Sequence, residues 1–383
     1  MPPPFLPRLV FPTLDSLPRS YYLGHHAAGL AKMRTMLSQI DLVIECRDYR
    51  IPLTSRNPMF EESLAGRERV VVYTKMDLGT ASGGQAQESN EDKRAYSHVS
   101  NQRHHLLTTH HAPTPLLFAA HKSPRTTRLL LAHLRTAAAH LNNLTGSHLM
   151  IVGMPNVGKS SLLNALRHEG VGKGKVAQTG AQPGVTRKIG TGVKIIDVVA
   201  EDAAAEKKRA EGGGGAGNTA GGSGLGGSVY LLDTPGVFIP YVPSPTAMLK
   251  LALCGSVKDT IIPPFTLADY LLYHLNLVSP ALYSAYHEPT NDVMRLLEAI
   301  ARKTGRLQKG GEPELEATAM WMVQRWRQGH LGRFCLDEVS EEALEVYGRG
   351  EEGAGSVNQA RRAGKEALRV RAKARRAAAG GVG

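Results

Sequence analysis

"VVVYTKMDLG" runs from Val70 to Gly79, and "GMPNVGKSS" runs from Gly153 to Ser161. The first is an apolar run that ends in Thr74-Lys75-Met76-Asp77. The second has Gly153, Gly158, Lys159 and Ser160 at Gly-x-x-x-x-Gly-Lys-Ser spacing. A carboxylate at the end of a buried strand can accept from guanine's ring N–H and its exocyclic amine, a pair of donors that adenine lacks. A loop of the second kind wraps backbone N–H groups around phosphates. Where the two occur in one chain, the base-reading group normally comes second. Here it comes first, and the fold turns on how that order is read.

The phosphate loop lies between the apolar run "HLMIVG" and the helical pattern "SLLNALRH", the context that makes the motif meaningful. Its glycines let the backbone curl, and Asn156, Val157, Gly158 and Ser161 share the cradle. Lys159 brings a point charge to the β- and γ-phosphates, and the Ser160 hydroxyl can ligate Mg²⁺. The positive end of the following helix faces the anions. Further on, "LLDTPG" closes a strand with Asp233, a Mg²⁺ ligand directly or through water, and its Gly236 N–H can meet the γ-phosphate. Between them, "AQPGVTRKIG" holds Thr186 in a Gly-Pro segment. We read it as a switch loop reaching Mg²⁺ only when the γ-phosphate is present. Val237 follows Gly236, where Ras-like enzymes keep a water-orienting glutamine, so intrinsic hydrolysis is expected to be slow.

Apolar runs and helical patterns alternate along most of the chain. Strands are expected at "DLVIECRD", "RERVVVYTKMD", "TPLLFAAH", "GVKIIDVVA" and "SVYLLDTPG" besides the one before the phosphate loop. Helices are expected at "HHAAGLAKMRTMLSQI" and "TTRLLLAHLRTAAAHL". Residues 80–112, rich in Gly, Ser, Gln, Asn and His, read as a loop with at most a short helix. The fold class is α/β, a mainly parallel sheet with helices on both faces, followed by a small all-α domain. Function depends on which strand ends meet, and joined termini with a new opening leave a sheet intact. The chain order therefore predicts a circularly permuted P-loop GTPase domain over 21–245. "FAAHKS", Phe118 to Ser123, sits at another strand end and is expected to give a backbone contact to the base.

Residues 1–20 read as an N-terminal extension. Arg8 and Arg19 against Asp15 fit an organellar presequence, while the prolines spoil an amphipathic helix. A Gly-rich insert over about 201–228 reads as a surface excursion that loop-closure entropy tolerates. Residues 246–345 read as four helices, and 346–383 as a disordered basic tail. Trp321 and Trp326 fit a helical core better than an RNA-stacking surface. "DYRIPLTSRNP" places Asp48, Arg50 and Arg56 near the nucleotide site with no role assigned.

"YLGHHAAGLAKM", "DLVIECRDYRIPLTSRNP", "TKMD", "GMPNVGKSSLLNAL", "QPGVTR" and "DTPGV" together resemble the circularly permuted ribosome-assembly GTPases similar to bacterial ribosome biogenesis GTPase A. The likeness is greatest to the mitochondrial ribosome-associated GTPase 1 group, in a fungal-looking variant, over roughly residues 20–340. Departures are the threonine of "TKMD", "GHH" for Gly-His-Met, and "AA" before His121. The resemblance implies GTP as substrate, Mg²⁺, and K⁺ held by Asn156 as a stand-in for an arginine finger. It matches His25 to the family's N-terminal histidine. It implies that the helical domain grips large-subunit rRNA and that the partner is a mitochondrial large ribosomal subunit precursor, met by a monomer in the matrix or peripherally on the inner membrane.

Bulk properties agree. The 383 residues carry a formal charge of +12, which favours a polyanionic partner. Arg361, Arg362, Lys365, Arg369, Arg371, Lys373, Arg375 and Arg376 concentrate it in the tail. Three well-separated cysteines, Cys46, Cys254 and Cys335, have no metal spacing and suit a reducing compartment. No apolar run reaches the ~20 residues that span a bilayer. The expected function is GTP hydrolysis in late assembly of the large subunit, stimulated by the particle. The alternative is a GTP-gated RNA- or membrane-binding module with negligible turnover.

Overall fold

The computed structural model describes residues 5–12, 14, 17–18, 24–79, 90–120, 122–141, 143, 146–180, 190–197, 227–239, 241–242 and 244–349. The Thr186 segment, most of the Gly-rich insert and the chain beyond 349 lie outside them.

Six strands form one sheet: β1 Leu42–Asp48, β2 Arg69–Thr74, β3 Leu116–Phe118, β4 Ser147–Gly153, β5 Val193–Ile196 and β6 Val229–Asp233. Their spatial order is β3-β2-β1-β4-β6-β5. Every pairing is parallel except β5 with β6. β1 and the middle of β4 are buried throughout, the pattern of strands covered on both faces. The chain runs outward from β1 to β3, then returns across the sheet to β4. The switch point therefore falls between β1 and β4, where open α/β sheets bind ligands at their carboxyl ends. Register aligns those ends: Asp48 pairs with Thr74, Cys46 with Gly153, and Ile151 with Asp233. This is the arrangement expected of a permuted P-loop GTPase sheet.

Helices α1 Gly24–Met36, α2 Pro58–Ser63, α3 Met76–Gly79, α4 Asn90–His111, α5 Pro124–Leu141 and α6 Lys159–Val171 accompany the sheet. α2 starts where Asn57 accepts from the Met59 N–H and Pro58 supplies a fixed φ. One correction concerns residues 80–112: α4 spans 22 residues where a loop was expected. Its polar, His-rich sequence has little apolar periodicity. It is held instead by Leu107, fully buried, and by His104 stacked on Phe118 at 3.9 Å.

Beyond β6 come α7 Pro245–Leu253, α8 Pro264–Val278, α9 Val293–Thr304, α10 Leu315–Arg327 and α11 Glu341–Arg349. α11 carries helical order to Arg349, so the segment from 346 begins inside a helix rather than as irregular tail. Ser244 and Asp292 cap α7 and α9 through their side-chain oxygens. Trp326 is buried, as a core reading expects, and Trp321 packs partly buried against the same core. A single apolar cluster runs from Ile44 and Ile151 in the sheet to Leu271 and Trp326 in the helices. Part of the N-terminal extension packs there too. Arg8 forks onto Asp269 at 2.6 and 3.2 Å, and Phe11 meets Tyr270 edge-on at 5.0 Å. Cys46 and Cys254 are buried free thiols.

Candidate functional site

The phosphate loop turns from β4 into α6. Gly158 has φ of 96°, a conformation that favours glycine, and Asn156 takes φ of 56°. Lys159 is buried, and its ammonium donates to the carbonyls of Gly153 at 3.2 Å and Met154 at 2.8 Å. Burial pushes its pKa down, against the pull of nearby Asp233. A desolvated cation on a ring of backbone dipoles is suited to meet phosphate oxygens. Val157 is buried beneath the loop, and Ser161 lies in the first turn of α6.

The Ser160 hydroxyl donates to Asp233 Oδ2 at 2.7 Å. This joins the phosphate loop to the end of β6. Among the described residues no group of three or more His, Cys, Asp or Glu can hold a metal. A hydroxyl and a carboxylate, both hard oxygen donors, fit Mg²⁺, which takes few protein ligands and draws the rest from phosphates and water.

The 74–77 stretch lies beside the phosphate loop, although the chain reaches it first. Thr74 Oγ1 contacts Val157 O and lies 3.0 Å from Arg47 O. Lys75 donates to Asn156 O and, at 3.0 Å, to Asp48 Oδ2. Thr74 thus bridges the end of β1 to the phosphate loop. Asp77, in α3, has its Oδ1 buried with no hydrogen-bond partner among the described residues. A buried acceptor left unmatched is expensive unless a ligand supplies the donor, and guanine carries two. The end of β3 closes this side: Met76 N–H donates to Ala119 O at 3.3 Å, and Ala119 and Ala120 are buried. His121 is outside the described residues.

The segment after Asp233 is held tightly. A Cβ on Gly236 would sit 2.5–2.6 Å from the Pro155 backbone, so only glycine allows this approach to the phosphate loop. Val237 N–H donates to Gly153 O at 3.3 Å, and Asn57 Nδ2 donates to Val237 O at 2.9 Å. His26 Nδ1 lies 3.0 Å from Gly236 O and 3.4 Å from Phe238 N. The Val237 side chain is buried.

Of the residues singled out from the sequence, the sheet brings Thr74, Lys75, Asp77, Asn156, Val157, Gly158, Lys159, Ser160, Ser161, Asp233 and Gly236 to one end. Thr186 is outside the described residues. His25 lies in α1, with its side chain also outside them. Sequence reasoning missed His26, the next residue, which is 3% exposed and grips the Gly236 segment. It also missed Asn57, and it placed Asp48 and Arg50 near the site without foreseeing that they pair. The double histidine of "GHH" was the one available signal, and it does not say which ring turns inward.

A family model described as "50S ribosome-binding GTPase" matches residues 148–262. Mitochondrial GTPase 1 of Schizosaccharomyces pombe is 34% identical over 334 residues, covering 86% of this chain and 92% of that one. Mitochondrial ribosome-associated GTPase 1 of Xenopus tropicalis is 31% identical over 332 residues, covering 83% and 94%. Among solved structures, GNP-bound YlqF from T. maritima has a TM-score of 0.42 and 20% identity, covering 80% of this chain and 97% of that one.

Proposed function

From the membership of this chain in the mitochondrial GTPase 1 family, a family of GTP-hydrolysing proteins, we propose that it acts in the mitochondrial matrix on a late precursor of the large ribosomal subunit. In this reading it binds the particle with GTP, hydrolyses the nucleotide and leaves. The observation that carries the reading is the meeting of Thr74 and Lys75 with Val157 and Asn156 beside the Ser160–Asp233 pair. A guanine reader and a phosphate cradle then face one ligand. The printed name of the Xenopus relative supports the ribosomal partner.

The residues divide the work. Asp77 accepts from the base while the Lys75 stem packs along it. Lys159 leaves the Gly153 and Met154 carbonyls for the β- and γ-phosphates. Gly236 turns its N–H to the γ-phosphate. Ser160, Asp233 and Thr186 would hold Mg²⁺, which when bound offsets charge on the phosphate oxygens. Val237 cannot orient water, so help comes from elsewhere: K⁺ at Asn156, His25 from α1, or the particle itself.

We read 21–245 as the permuted GTPase unit and 246–345 as the rRNA-gripping unit, with residues 1–20 as an extension and the basic tail laid on phosphates. The charge of +12 supports a salt-sensitive contact with RNA. No helix among the described residues is long and apolar enough to cross a membrane. We read any contact with the inner membrane as peripheral and the working form as a monomer.

Single-turnover hydrolysis with and without mitochondrial large-subunit precursors, in K⁺ and in Na⁺, tests this. Acceleration by the particle, greatest in K⁺, is expected. No acceleration in any condition leaves a GTP-gated binding module instead.

A further inference from the structure

The stretch "DYRIPLTSRNP" is fixed at both ends to the nucleotide site and in its middle to the helices. At its start, Asp48 is fully buried and neutralises two cations. Arg50 forks onto it at 3.0 and 2.8 Å, and Lys75 reaches it at 3.0 Å. Burial alone would raise this carboxyl, but the two cations overcome it and hold it below the ordinary range. Lys75 also holds Asn156 O of the phosphate loop. At its end, Asn57 holds the Val237 carbonyl beside Gly236. Both parts of the site that meet a nucleotide are therefore tied to one loop.

The middle of the loop belongs to the helical side. The Arg50 guanidinium lies 5.0 Å from the Trp326 ring of α10 and reaches Cys254 O at the end of α7 at 3.4 Å. Leu336 N–H donates to Arg50 O at 2.7 Å. Asp337 accepts from Leu53 N, Thr54 N and Thr54 Oγ1 at 2.7–2.9 Å, and from Lys250 at 2.9 Å. A second abutment lies alongside: a Cβ on Gly255, just past α7, would sit 2.6 Å from Asn156 Nδ2.

We propose that the loop from Asp48 to Asn57 links guanine-nucleotide binding to the placement of the helices, with Asp48–Arg50 as the positioning pair. A bound base takes up the Lys75 stem, and the phosphates draw the loop around Asn156. The charge balance at Asp48 changes, and Arg50 moves against Trp326 and Cys254. Linkage is reciprocal, so a partner that shifts the helices alters nucleotide affinity by the same factor. The inference rests on the guanine-nucleotide pocket and not on the identity of the ribosomal partner.

Trp326 is the natural reporter, because its indole lies beside the Arg50 charge. In a Trp321→Phe background it is the one remaining tryptophan. Emission is followed during titration with GDP and with a non-hydrolysable GTP analogue, while equilibrium dialysis measures bound nucleotide independently. We expect emission to change along the binding curve. Thr54→Val with Lys250→Met loosens the Asp337 clamp away from the nucleotide. Neither residue touches the pocket, so the variant should still bind nucleotide, yet lose most of the emission change, with circular dichroism confirming that it folds. Arg50→Lys keeps the charge without the fork and should abolish the change. If Arg50→Lys does not fold, as circular dichroism reports, the clamp variant decides. Bound nucleotide with silent emission in the parent, or a full emission change in the clamp variant, overturns the linkage. Absence of bound nucleotide in dialysis overturns the pocket and the linkage together.

Discussion

Asp77 and His26 show two ways in which one side chain can matter. Asp77 Oδ1 is buried with no hydrogen-bond partner among the described residues, an acceptor that the proposed guanine contact would complete. Asp77→Asn replaces an acceptor by a donor at that edge. GTP affinity should fall on the order of a hundredfold, given 1.5–3 kcal/mol per charged hydrogen bond, while xanthosine triphosphate affinity rises. Competition against a labelled guanine nucleotide measures both. His26 touches the segment that presents Gly236, without belonging to any nucleotide motif. His26→Phe keeps the ring volume and removes the Nδ1 hydrogen bond to this segment, whichever tautomer makes it. Losing about 1–2 kcal/mol of restraint there should slow single-turnover hydrolysis roughly tenfold while GDP affinity barely moves. A parallel loss of GDP affinity would show the whole pocket disturbed instead. Asp77 could be singled out from the sequence because its motif is local. His26 could not, since its partners lie more than two hundred positions away in the chain.

Elements differ in how plainly they announce themselves. β1, β2 and the β4–α6 turn were readable because burial on both faces forces continuous apolar runs, and phosphate binding forces glycines. α4 was not, because a long helix that packs through a few residues such as Leu107 and His104 needs no apolar stripe. α8 carries a different hidden feature. Burial pushes the His274 imidazole down from 6.5 to about 4, and Lys250 adds a smaller push in the same direction. Tyr270 and Phe334 face it with aromatic rings. Between those pH values the unfolded chain holds a proton that the folded chain refuses. The stabilising share is complete above pH 6.5 and drains away as pH falls toward 4. At pH 5 it amounts to about 2 kcal/mol lost. Urea unfolding at pH 7 and pH 5 should show this drop in the parent and a smaller one in His274→Phe. Equal drops would assign the acid sensitivity to other groups.

Across the whole molecule, the order of motifs was informative and their spacing along the chain was not. Asp48, Thr74, Gly153 and Asp233 end neighbouring strands, so permutation rearranges the connections and spares the site. The sequence could not reveal how closely the helices are joined to the sheet. Arg50, Thr54 and Asp337 are ordinary polar residues in a loop until a buried partner meets them. Since one apolar cluster includes Ile151 and Trp326 alike, sheet and helices should unfold together. Far-ultraviolet circular dichroism and tryptophan emission are expected to give superimposable urea transitions, and two separated midpoints would contradict the shared core. The Asp337 clamp also bears on biosynthesis. During translation the 74–77 stretch emerges early, before the phosphate loop beside it, and the 48–57 loop lacks its Leu53 and Thr54 contacts until Asp337 has left the ribosome that is making it. A chain broken off short of that point would carry the strand-end motifs and still lack the tie between their supporting loop and the helices, so that link forms only near the close of synthesis.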